Sequence, residues 1–124
     1  MSDEISQLPP QIQQRLLRLQ QLQQNLQGVM AQKQQLSLQL TETENAVNEL
    51  DKLEDDAIVY KSIGALLVKA EKAKVSTELT ERKELVKMRV DVLAKQEERL
   101  KTQVKELQEK LQQDLRPVSG SSLG

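Results

Sequence analysis

The side chains best placed to do chemistry in this sequence are three consecutive carboxylates, Glu54-Asp55-Asp56, and their surroundings argue against it. Carboxylates capture a hard cation when glycine and spaced oxygen ligands wrap a loop around it. Here they stand together at the end of an apolar-periodic segment, with no His and no Gly-rich loop, so a solvated helix end is expected. The 124 residues include no His, Cys, Trp or Phe and a single Tyr. That excludes most metal sites, thiol nucleophiles and imidazole acid–base devices. With no G-x-x-x-x-G-K-[ST] loop either, the expectation is a protein that is not an enzyme and carries no cofactor and no metal.

Long helices, not a globular core, must hold the side chains in place. Leu, with 21 copies, and Gln, with 18, take over from the aromatic residues that normally fill a compact domain. Proline is confined to Pro9, Pro10 and Pro117. With Leu19 at position a of a heptad, the seam reads Leu19, Leu22, Leu26, Val29, Lys33, Leu36, Leu40, Thr43, Val47, Leu50, and eight of these ten are apolar. This predicts a first helix over 11–53, with the proline pair in or ahead of its first turn, where proline is tolerated. A second seam runs through Leu79, Lys83, Val86, Val90, Leu93, Glu97, Leu100, Val104, Leu107 and Leu111, predicting a second helix over 73–116. Residues 117–124, rich in Ser and Gly, read as a flexible tail, and the whole chain as one domain.

Between the seams the period changes. Residues 58–70 gather β-branched residues and the only Tyr around Gly64, which predicts a β-hairpin over 57–70 turning at Gly64-Ala65. A short insert of this kind lets the helices fold back as an antiparallel pair. Two registers fill the seam, one setting Leu22 against Leu111 and the other Leu22 against Val104. In either register Lys33 and Glu97, the oppositely charged exceptions, fall within a layer of each other and are candidates for specifying register.

An isolated two-stranded hairpin is marginal in water and has two unpaired edges, so equivalent hairpins should pair between chains. Ile58, Val59, Tyr60, Ile63, Gly64, Leu66, Leu67 and Val68 form the candidate oligomer interface. At the opposite end, Ile5, Leu8, Ile12, Leu16, Leu111 and Leu115 are candidate apolar contacts for another protein. The 18 basic and 19 acidic residues give no general attraction to nucleic acid or to an anionic membrane, and there is no block of basic residues ahead of the heptads. Without a long apolar run the expected location is the cytoplasm.

The segment Asp56-Ala57-Ile58-Val59-Tyr60-Lys61-Ser62-Ile63-Gly64, followed by Leu66-Leu67-Val68-Lys69 and flanked by two long helices, resembles the beta-type prefoldin subunits of archaea over about residues 5–116. Ile58 stands where that family often has an acidic residue, and Ala65 where it often has a polar one. The resemblance implies a mainly α fold, a long antiparallel coiled coil whose inserted hairpins assemble into an oligomeric β-barrel. It further implies a hexamer of two alpha-type and four beta-type subunits. Such a subunit acts as an ATP-independent holdase, binding unfolded client proteins at the coiled-coil tips and delivering them to a group II chaperonin. The competing reading is a coiled-coil adaptor or spacer without chaperone activity.

Overall fold

The computed structural model describes residues 7–116. The order of elements is α1 (Pro10–Asp51), β1 (Ile58–Ile63), β2 (Leu66–Glu71) and α2 (Lys72–Asp114). Two helices of 42 and 43 residues thus flank one antiparallel hairpin, as the two heptad runs and the change of period between them imply. The expected tail, and Ile5, lie outside the described residues.

Helix α1 begins at Pro10, whose missing N–H and fixed φ suit a first helical position. The Pro9 carbonyl accepts hydrogen bonds from the backbone N–H of Ile12 and Gln13, each 3.0 Å long, and so closes the first turn. The helix ends at Asp51, two residues before the bound expected from the apolar pattern. There the Lys52 and Leu53 N–H groups donate to the Glu49 and Leu50 carbonyls, tightening the ladder into three-residue steps that stop it. Apolar character continues to Leu53, but the hydrogen-bonded helix does not.

All ten seam positions of α1 from Leu19 to Leu50 are buried or half-buried, as are the seam positions of α2 from Leu79 to Leu111. The polar exceptions are satisfied in place. Thr43 is buried, and its hydroxyl donates to the Gln39 carbonyl one turn back at 2.8 Å. Glu97, only 7% exposed, lies 3.5 Å from the Lys101 ammonium.

The chain divides into two compact units. One joins the α1 residues up to Ala31 with the α2 residues from Ala94 onward. Its centre is Leu22, Val104 and Leu111. Here Arg15 is ion-paired to Asp114, and Leu22 lines a groove with Gln103 and Leu107. In the two expected registers Asp114 falls opposite Leu19 or Ile12, each about one turn from Arg15 and so within reach of its long side chain. The other unit, Gln32–Leu93, contains the hairpin, with Leu50 and Val86 as its buried apolar residues.

In the hairpin, Ile58 pairs with Glu71, Tyr60 with Lys69, Lys61 with Val68 and Ile63 with Leu66. The two-residue turn is Gly64-Ala65. Gly64 has φ of 58°, in the left-handed region, and no other described residue has positive φ. Glycine at the first central position is the demand of a type II′ turn, whose twist matches the flanking strands.

Candidate functional site

Strand alternation gives the hairpin two different faces. One carries Val59, Lys61, Ile63, Leu66, Val68 and Ala70, and Val59 and Ala70, which pair directly, are half-buried. This face looks toward α2. Lys61, Val68 and Ala70 line a cleft with Val75 and Glu78, and the Lys61 ammonium donates to the Glu78 carboxylate at 2.6 Å. The opposite face carries Ile58, Tyr60, Ser62, Leu67, Lys69 and Glu71, all exposed. Tyr60 is 63% and Leu67 74% exposed. Of the eight residues expected at the interface, Val59 alone is half-buried; the other seven are exposed.

The energetic balance of such a hairpin is unfavourable in a single chain. Full burial of a Leu, Ile or aromatic side chain is worth about 1.5–3 kcal/mol, and Ile58, Tyr60, Ile63, Leu66 and Leu67 all stand mostly in solvent. Both strands also present an edge without a partner strand among the described residues, where the sheet has two strands. Exposed apolar side chains next to two open edges are suited to pairing with further strands.

At the other end of the helices, Leu8, Ile12 and Leu16 are half-buried, and Leu115 is 52% exposed. Leu111 is different. It is 4% exposed, a seam residue packed inside the Arg15–Asp114 ion pair, so it does not stand open at the tip. Leu17, missed by the seam reading because it lies off the a and d positions, is more exposed than any of these. A further off-seam stripe on α2, Leu85, Met88 and Val92, is exposed as well; its spacing of three and four residues was visible in the sequence, though masked by the charges around it.

Lys33 is half-buried on α1, within the hairpin unit, while Glu97 belongs to the other unit. The carboxylates Glu54, Asp55 and Asp56 are exposed, and among the described residues no group of His, Cys, Asp or Glu is arranged to hold a metal ion. No helix among those residues is long and apolar enough to cross a membrane.

Two long heptad-patterned helices with an exposed apolar hairpin between them define a coiled-coil subunit. The family model described as Prefoldin subunit matches residues 13–117. Curated relatives include the prefoldin subunit beta of Methanothrix thermoacetophila, 48% identical over 87% of this chain and 90% of that one. Another is the prefoldin subunit beta of Archaeoglobus fulgidus, 46% identical over 94% of this chain and 100% of that one. The crystal structure of the prefoldin beta subunit from Thermococcus strain KS-1 superposes with a TM-score of 0.82 at 45% identity, covering 88% of this chain and 96% of that chain. The beta2 subunit of the same strain, 23% identical, shares the fold with a TM-score of 0.66 over 73% of this chain and 97% of its own. The chain belongs to the prefoldin family, among its beta subunits.

Proposed function

We propose that this chain is the beta-type subunit of an ATP-independent holdase, built by hairpin pairing among two alpha-type and four beta-type subunits. The observation that carries the proposal is the hairpin's apolar face, with Tyr60 and Leu67 in solvent beside two unpaired strand edges. Closing hairpins into a barrel removes the edges and buries that face.

The opposite tips hold non-native clients. Ile5, Leu8, Ile12, Leu16 and Leu115 supply weak apolar contacts, and Leu111 joins them when the end of the helix pair opens. Several tips acting on one client raise avidity without a shaped pocket and leave the range of clients broad. The complex works in the cytoplasm and passes clients to a group II chaperonin. Lys33 and Glu97 contribute to the choice of helix register, as the oppositely charged exceptions on two otherwise mainly apolar seams. A double-mutant cycle with Lys33→Leu and Glu97→Leu tests this, and zero coupling rejects it.

The central experiment is to size the chain alone and with an alpha-type partner, then follow aggregation of a denatured client without nucleotide. Assembly together with suppressed aggregation is the expected result. An assembled complex that never protects a client supports the adaptor reading instead.

A further inference from the structure

Strand β2 passes into α2 with no intervening residue, since Glu71 ends the strand and Lys72 begins the helix. Lys72 is a poor choice for that position by local preference. A cation in the first turn opposes the helix dipole, and the first turn of α2 has no acidic residue to offset it. Its side chain nevertheless leaves solvent, being only 13% exposed, and its ammonium donates to the Leu53 carbonyl at 2.6 Å. The Asp55 carboxylate lies 3.5 Å away. Leu53 belongs to the tightened turn that ends α1, and the last turn of α1 has no basic residue of its own. Lys72 thus brings a second cation to the negative end of α1, beside Lys52, which follows the helix and pairs with Glu49. A second lysine acts on the other strand, where Lys61 of β1 reaches Glu78 of α2 at 2.6 Å.

We propose that Lys72 is a positioning residue which, with Lys61 and Glu78, locks the hairpin at one angle to the helices so that hairpins of different subunits can close on one another. This rests on the assembly reading above. The connection between α1 and β1, residues 52–57, is exposed except at Ala57 and cannot by itself fix the hairpin's direction. Lys72 ties that connection to the loop-free joint on the other side. Lys61–Glu78 sets the remaining rotation. The two contacts differ in salt sensitivity, because Lys61 and Glu78 are about half exposed while Lys72 is shielded.

The test uses the full chain with Lys72→Met, which keeps the apolar stem and removes the ammonium, and Lys72→Arg, which restores a cation. The sequence contains no cysteine, so Ala65→Cys and Glu81→Cys carry the only spin labels, and labelled chains are diluted with unlabelled ones. Lys72→Met is expected to at least double the width of the label-to-label distance distribution, with helical circular dichroism unchanged. It should also reduce the main assembled species at least twofold in favour of smaller or heterogeneous ones, and Lys72→Arg should recover most of both. The charge swap Lys61→Glu with Glu78→Lys should assemble better than either single change. Equal distance distributions in wild type and Lys72→Met overturn the proposal. A wild-type chain that stays single, with or without an alpha-type partner, refutes the assembly reading instead, and the distances then still decide whether Lys72 positions the hairpin.

Discussion

Arg15 near the start of α1 is ion-paired to Asp114, the last residue of α2. Their side chains are each about one-quarter exposed, so the pair is partly shielded and worth more than a bridge in open water. It closes the helix pair one turn beyond Leu111. Up to this point the seam positions are buried or half-buried, and the apolar residues more open to a client lie beyond it or off the seam.

Removing one partner should loosen that end without unfolding the chain. Asp114→Asn is expected to cost about 1 kcal/mol and to speed amide exchange in α1 near Ile12 and in α2 near Leu111. Raising salt should produce a weaker version of the same effect in the wild type only. Unchanged exchange at both helix ends would mean that the ion pair contributes nothing there.

The outward face of the hairpin should control assembly separately from folding. Leu67→Lys combined with Tyr60→Lys places cations where hairpins are proposed to meet, on side chains that touch little in the single chain. Light scattering is expected to show loss of the oligomer, while helical content stays at the wild-type level. Retention of full assembly mass would remove this face from the interface.

The turn predicts a backbone effect. Gly64 has φ of 58°, and a Cβ there meets no atom within 4 Å, so the penalty for Gly64→Ala is conformational, not steric. About 1–2 kcal/mol is expected. It should appear as a lower melting point of the assembled state, measured calorimetrically, with the two helices little affected.

Client holding should depend on the exposed tip. Leu8→Ser, Ile12→Ser and Leu115→Ser together are expected to reduce suppression of client aggregation several-fold at unchanged assembly mass. Leu17→Ser added to the set should deepen the loss, since Leu17 is exposed in the same unit. Aggregation curves identical to wild type would place client contact elsewhere on the chain.

Much of this architecture was legible before any coordinates, because a heptad seam and a β-branched cluster around one glycine are local patterns tied to helical and strand periods. The Leu19–Leu50 stripe specified which face of α1 is buried, and Gly64 specified where the chain reverses. The seam did not settle register. Two a-to-d alignments fill it equally well, and the long Arg15 side chain reaches Asp114 in either. Apolar layers tolerate several alignments; a tight turn does not.

The sequence alone therefore determined element type, the buried stripe and the absence of His and Cys chemistry, since each follows from residue identity and short-range spacing. The tertiary structure decided that Leu111 is shut inside the seam while Leu115, four residues on, is exposed. It also decided that Lys72 leaves its own helix to serve the end of α1, 19 residues earlier in the chain. Both depend on how far apart two distant segments come to rest, a quantity set by the loop-free joint and the register, which no local pattern encodes.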